Sequence, residues 1–380
     1  MLSEFINPLY TAFLLFPVLA LVFTVPYLVH QYRKYGSVVV FRGVVVYSFI
    51  LYLLCIYFLV ILPLPSFAQV ASGTGPIVQL HPLQCLRDIL AVEGFSPKSL
   101  GTYRLLLHDG DFKQIVLNFA MFLPLGFYLR YYFKRNWFET ILISFGLSLF
   151  FELTQVTALY GIYPRPYRLF DVDDLLINTA GGFVGHIFAP LLYWILPKKE
   201  TLDAVSYARG EKISIFRRIL AAGIDWLILG VIATLLSGLL GINDVFLLTW
   251  GTAILYIVLV FLYFVVFTWL FHGRTVGKAI MKLQICDDKG RNPGFTKLCI
   301  RYGILYGLCV PSLFLAIQLN RFSYTVAYSW AVTILVGIFA TIFFVFLIQG
   351  IMTVFKDDRG LIHEKFSHTQ TESLINSQVH

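Results

Sequence analysis

Nine apolar stretches follow one another along the chain, at approximately 8–31, 43–66, 112–133, 138–158, 172–196, 216–240, 246–271, 298–319 and 325–355. About twenty apolar residues carry a helix across the hydrocarbon core, where backbone N–H and C=O groups find no water and must bond to one another. The pattern predicts an all-α polytopic membrane protein with about nine transmembrane helices. The first stretch has no basic segment before it and no small-residue cleavage site after it, so it reads as a retained span. Beyond the seventh, Leu283 and Ile285 alternate with polar neighbours up to an Asp-Asp-Lys-Gly turn, which predicts a short cytoplasmic strand or β-hairpin near 279–292.

Composition agrees with this pattern. Hydrophobic residues make up 58% of the 380 residues, charged residues 13%, and the mean hydropathy is +0.77. Soluble domains carry about twice that charged fraction. The net charge of +8 is distributed by side. With the N-terminus outside, the external connections keep only Arg87, Lys98, Arg104, Lys113, Arg165, Arg168 and Arg321 of the 29 basic residues. Lys and Arg in short loops stay cytoplasmic, so the N-terminus is expected outside and the C-terminus inside. The positive charge then reports topology and contact with membrane lipids, and no nucleic-acid partner is expected. The five cysteines show neither a disulfide framework nor metal-type spacing.

The polar stretch "PKKETLDAVSYARGEKISIFRR" separates the fifth span from the sixth. It divides the chain into a membrane domain at 1–197 with five spans, a cytoplasmic linker at 198–212, a membrane domain at 213–367 with four spans, and a polar tail at 368–380. No internal repeat links the halves. The largest external loop, about 67–111, contains "LHPLQCLRDILAVEGF", where Leu83, Leu86, Leu90 and Val92 alternate with Arg87, Asp88 and Glu93. That pattern suits a short helix lying in the membrane interface or capping the bundle.

In the first half, Asn118 lies on the third span, Glu152 and Gln155 share a face of the fourth, and "RLFDVDDLLINTAGGFVG" opens the fifth. Asp174, Asn178, Gly181 or Gly182, and Gly185 recur at helical spacing. The glycines allow a neighbouring helix to approach closely, and the fourth span is the expected neighbour. Ionisable groups at membrane depth mark functional sites by default. The expected ligand site is therefore Asn118, Glu152, Gln155, Arg168, Asp171, Asp173, Asp174 and Asn178, near the outer membrane boundary. A purely structural role stands beside it, since Asp171 can cap the helix and the others can knit helices together. A divalent ion among the three aspartates is a further alternative, although the string is not an EF-hand loop. The sequence calls for no metal or cofactor.

Asn118 with "FLPLGF", Glu152-x-x-Gln155, Arg168, "DVDDLLIN" and Gly-Gly-x-x-Gly together resemble the VanZ-like family over about half the chain. That resemblance implies a Gram-positive-type bacterial membrane and the name member's association with low-level resistance to the lipoglycopeptide teicoplanin. It implies no settled biochemical activity.

In the second half, Arg218 stands at the cytoplasmic end of the sixth span and Asp225 seven residues on, along the same face. "GRTVGK" is no phosphate-binding loop, being one residue short with Ala279 at the Ser/Thr position. His363 and Glu364, after the last span, are expected to return toward Arg218. Arg218, Asp225, His363 and Glu364 thus form a second expected site. "RRILAAGID", "GRTVGK", "DDKG" and "LIHEK" resemble the RDD family over most of 213–367, with Glu364 where the family pattern has aspartate. That resemblance implies a membrane domain for which ion or proton exchange has been proposed in some members.

Three functions follow. The first is a non-enzymatic envelope protein whose outer site recognises a lipid, a lipid-linked cell-wall precursor or an amphipathic glycopeptide. The second is an ion- or proton-coupled transporter using Glu152 and Asp225. The third is a membrane-embedded enzyme acting on a lipid-linked substrate, for which the sequence supplies no nucleophile with its base.

Overall fold

Polar side chains at the helix starts fix where each element begins. Asp109 accepts from the Phe112 N–H at 2.9 Å to open one long helix. Asn136 and Glu139 exchange side-chain and backbone bonds of 2.8 and 3.0 Å to open the next, a reciprocal cap that satisfies two otherwise orphaned donors. Asp171 accepts from the Asp173 N–H at 2.8 Å to open a third.

A computed structural model describes residues 2–241, 250–309, 329–355 and 361–375. In chain order the first elements are α1 (Leu2–Tyr35), α2 (Val40–Ile61), α3 (Phe67–Ala71), β1 (Val78–Gln79), α4 (Gln84–Ala91), α5 (Tyr103–Leu106), α6 (Gly110–Tyr131), α7 (Trp137–Val156), α8 (Ala158–Gly161), β2 (Phe170–Asp171), α9 (Val172–Phe188) and α10 (Lys199–Glu211). Then come α11 (Ile215–Leu239), α12 (Trp250–Val260) running through a π-helical stretch into α13 (Thr268–Leu270), α14 (Val276–Ile280), β3 (Leu283–Asp287), α15 (Phe295–Tyr302), α16 (Ser329–Phe355), α17 (Ile362–Ser367) and β4 (Thr369–Ser373). The chain divides into two units, one of Met1–Thr24 with Val39–Leu202 and the other of Val25–Val38 with Asp203–His380.

Among the described residues, six helices are long and apolar enough to cross a membrane: Asn7–Tyr35, Val40–Ile61, Gly110–Tyr131, Trp137–Val156, Val172–Trp194 and Ile215–Leu239. The seventh and ninth expected spans fall on the shorter apolar helices Ile254–Leu270 and Val332–Val345. The eighth, 298–319, is helical to Cys309, and its remainder lies outside the described residues, as does Arg321. The molecule is a predominantly helical membrane protein.

The first unit packs α2, α6 and α7 around Ile56, Phe122, Leu125, Leu129 and Phe151. The glycine stripe of α9 serves two neighbours. Gly181 and Gly185 lie against the backbone carbonyls of Phe119 and Leu123 on α6, and Gly126 of α6 lies against Gly182 and His186 in return. A Cβ at any of these positions would collide with backbone. The expected neighbour of this stripe was the fourth span; α7 does pack on it, through Ser144 against Gly182 and Ser148 bonded to Asn178, but the closest backbone approach is to α6. The reciprocal glycine on α6 explains the choice, because small residues on both helices bring the two backbones closest together.

In the second unit Leu229, Tyr263, Phe264, Val265, Ile285, Leu298, Tyr302 and Tyr306 form the core. Of the strand or hairpin expected after the seventh span, the strand exists as β3 and its partner is not the adjacent segment. β3 pairs antiparallel with β4, Leu283 opposite Ser373 through Asp287 opposite Thr369. Asn292, Pro293 and Gly294 follow the turn, and proline has no N–H to give a ladder. The segment expected to be a polar tail supplies the partner instead, and the segment expected to be a linker is occupied by α10.

Candidate functional site

The three aspartates of "DVDD" do three different jobs. Asp171 caps its own helix, as above, and its backbone N–H donates to the Glu152 carboxylate at 3.0 Å. Asp173 faces away from its own helix and accepts from the N–H groups of Leu83 and Cys85 at 2.5 and 2.7 Å, so it caps the start of α4. Leu83 enters α4 in the left-handed region with no side-chain cap of its own, so a carboxylate from elsewhere meets this orphaned terminus. Asp174 turns to Asn118, whose Nδ2 donates to it at 2.7 Å.

β1 lies parallel to β2, with Val78 opposite Phe170 and Gln79 opposite Asp171. This short ladder draws the long loop over the start of α9 and leaves two adjoining clefts. One, of about 200 Å³, is lined by Asp171, Asp173 and Asp174 together with Asp88, Asp111 and Gln114. The other, of about 210 Å³, is lined by Arg165, Tyr167 and Arg168 together with Gln69. Leu169 borders both. Arg168 is exposed and has no hydrogen bond or ion pair among the described residues, and its charge acts on both Glu152 and Asp174. Burial, reinforced by the Asp173 charge, pushes the Asp171 carboxyl above the usual range. Burial and Asp173 together push the Cys85 thiol up to about 11, which keeps it protonated and a poor nucleophile near neutral pH.

Of the expected ligand residues, the three aspartates and Arg168 therefore line clefts. Glu152, 4% exposed, and Asn118 brace the cleft residues from behind. Gln155 donates to the Val60 carbonyl at 3.0 Å and ties α7 to α2, while Asn178 donates to Ser148 at 2.9 Å and ties α9 to α7. Asp88 and Asp111 enter from elements not counted in the expected site. For Asp111 the signal was present, since Asp111, Gln114 and Asn118 recur at helical spacing on α6.

The second expected site separates into two. Arg218 donates to both carboxylate oxygens of Glu364 at 2.9 Å, as expected, but Asp225 takes no part. Seven residues along a helix are about 10 Å of axial distance, beyond hydrogen-bond reach, so each group finds its own partners. Asp225, fully buried, accepts from the Tyr263 hydroxyl at 2.7 Å, the Thr275 hydroxyl at 2.6 Å and the Gly277 N–H at 2.6 Å. Glu364 also accepts from Arg301 at 2.9 Å and Thr371 at 2.8 Å, and Arg301 donates to Thr369 at 2.7 Å, locking β4 in place. Burial would raise the Glu364 carboxyl, but Arg301 and Arg218 outweigh it and hold it well below the usual range. Burial and the Arg301 charge bring His363 down to about 3. Arg301 and the fully buried Arg217, which donates to the carbonyls of Met281, Lys282 and Gly210, were not among the expected residues.

Residues 49–193 match the VanZ/LLP1 family and residues 213–368 the RDD family. Protein VanZ of Enterococcus faecium is 30% identical over 99 residues, which cover 26% of this chain and 56% of that protein. The chain thus spans little more than half the length of that curated relative. No solved structure matches. The protein joins a VanZ-like region in its N-terminal half to an RDD-family region in its C-terminal half.

Proposed function

We propose that this is a cell-envelope protein whose VanZ-like half recognises the polar part of an amphipathic ligand. The observation that carries the proposal is the pair of adjoining clefts of opposite charge at the start of α9. A guanidinium fork suits a phosphate or carboxylate, and a carboxylate-lined cleft suits an ammonium group. The ligand is then dipolar: its anionic group rests on Arg165 and Arg168, its cationic group on Asp174 and its neighbours. Beside the clefts α4 presents Leu86 and Leu90 uncovered, a surface suited to an acyl chain or to the membrane interface. A lipid, a lipid-linked cell-wall precursor and an amphipathic glycopeptide of the teicoplanin type share this design.

In this proposal nine spans place the N-terminus outside and the C-terminus in the cytoplasm of a Gram-positive-type bacterium, with the clefts facing out. Its basis is the sparse Lys and Arg on that side. The saturated bonding of Asp225 supports a helix-locking role over ion exchange. The test is protection of a glycopeptide-susceptible bacterium. The intact protein raises the teicoplanin concentration needed to stop growth, and Asp174→Asn or Arg168→Gln at equal membrane abundance removes the gain. Equal protection by the variants overturns the proposal.

A further inference from the structure

The RDD-family half contains a cleft of about 480 Å³ that the bonding of Asp225 and Glu364 leaves unexplained. The chain leaves α13 through His272 and Gly273, both in the left-handed region (φ 55 and +84), and reverses into α14. The Gly273 carbonyl accepts from Ile285 at 2.9 Å, which fixes the turn against β3. On its other side α14 is pinned to α11, because Asp225 holds the Thr275 hydroxyl and the Gly277 N–H. It cannot collapse onto Phe267 and Phe271, whose rings stack at 4.1 Å. The space between stays open.

Its walls are apolar and its rim is basic. Phe267, Phe271, Val276 and Ile280 line the interior, with His272 and Arg274 at the mouth. Arg274 is exposed. One of its terminal nitrogens donates to Gln284 at 3.0 Å, which orients the guanidinium, and its other N–H groups have no partner among the described residues. The cleft opens where the apolar helix Ile254–Leu270 ends, and Trp269, Leu270 and Phe271 are exposed around it. Exposed aromatics at the end of an apolar helix sit at headgroup level. From His272 to Cys286 the chain carries Arg274, Lys278 and Lys282 and no acidic residue.

We infer that this cleft holds an anionic phospholipid, its acyl chain against Phe267, Phe271, Val276 and Ile280 and its phosphate on Arg274 and His272. A zwitterionic lipid would fill the walls and bring the same phosphate, but would set its own ammonium against the basic rim. A soluble phosphate would use the rim without the walls. Basic pockets beside membrane helices recognise headgroup phosphates by this combination. The inference is independent of the dipolar ligand proposed for the other half.

Native mass spectrometry of the full chain in a neutral detergent tests it, using phosphatidylglycerol and phosphatidylcholine of matched chain length. Phosphatidylglycerol should be retained roughly tenfold better than phosphatidylcholine, and Arg274→Gln should abolish that preference. Ala279→Trp, which fills the cleft, should reduce retention of both lipids. Millimolar glycerol phosphate should displace neither. Arg274 is exposed and its variant keeps the fold, so the test stands even where Ala279→Trp misfolds. Equal retention of the two lipids, an unchanged preference in Arg274→Gln, or displacement by glycerol phosphate overturns the inference.

Discussion

The two halves bury carboxylates in opposite ways. In the RDD-family half, Glu364 lies between two arginines, a threonine hydroxyl and the Leu361 N–H, and Asp225 is met by three donors. In the VanZ-like half, Asp171, Asp173 and Asp174 have internal partners too, but each also keeps an edge on a cleft. The first arrangement has the form of a lock, in which every charge is met within the protein. The second leaves charge available to something outside. An acidic residue at membrane depth therefore says little by itself; what distinguishes a binding group from a structural one is whether its hydrogen bonds close internally.

The difference can be broken most severely at the lock. Glu364→Gln leaves Arg301 and Arg218 without their carboxylate and is expected to cost about 3–5 kcal/mol, the usual result of removing one member of a buried ion pair. Thermal unfolding in detergent should show it, together with release of the C-terminal strand to protease. A loss below about 1 kcal/mol would mean the cluster is not a lock. Next is the close helix pair of the other half. Gly185→Val drives a side chain into the Leu123 carbonyl and should cost about 1–3 kcal/mol by overpacking, with reduced folded yield as the readout.

Acidification should separate the halves by sign. His363, at about 3 when folded, takes up its proton more readily when unfolded, so its contribution is complete above its ordinary value of about 6.5 and is lost as pH falls toward 3. Glu364 acts in the same sense at lower pH, because its depressed carboxyl contributes stability above the ordinary glutamate value of about 4.3 and loses it below. Asp171 runs the other way. Its carboxyl is raised on folding, so its contribution is present at low pH and is lost as pH rises through the folded value. Melting curves between pH 4 and 7 should fall on the acid side, and His363→Gln should flatten that fall. The smallest stability effect belongs to the clefts: Asp174→Asn keeps an acceptor for Asn118 and should shift unfolding by less than about 1 kcal/mol while weakening the hold on a ligand's ammonium group.

Much of this was legible in the residues. The six long spans follow from hydropathy, and the acidic stripe of α9 follows from helical spacing. The pairing of Arg218 with Glu364 was visible because opposite charges on neighbouring elements seek each other. What the pattern hid was long-range. Asp173 caps a helix that begins ninety residues earlier, and no local rule connects a carboxylate to the distant N–H groups of Leu83 and Cys85. The local turn after β3 suggested a hairpin, while its true partner lies beyond the last span, in a wholly polar Thr-Gln-Thr-Glu-Ser segment without the apolar alternation that marks a strand, where Arg301 holds Thr369 and Thr371. Arg217 was hidden for a similar reason, since a buried arginine satisfied by carbonyls leaves no acidic partner to notice.

The opposite charges of the two clefts are tested most directly by the affinity of the purified protein for a short-chain lipid with a phosphate and a primary amine, compared with its N-acetylated form and with a form whose phosphate is methylated. The dipolar lipid should bind more tightly than either derivative; Asp174→Asn should erase only the discrimination against N-acetylation, and Arg168→Gln only that against methylation. Equal affinity for all three lipids, or discrimination that survives both substitutions, would contradict it.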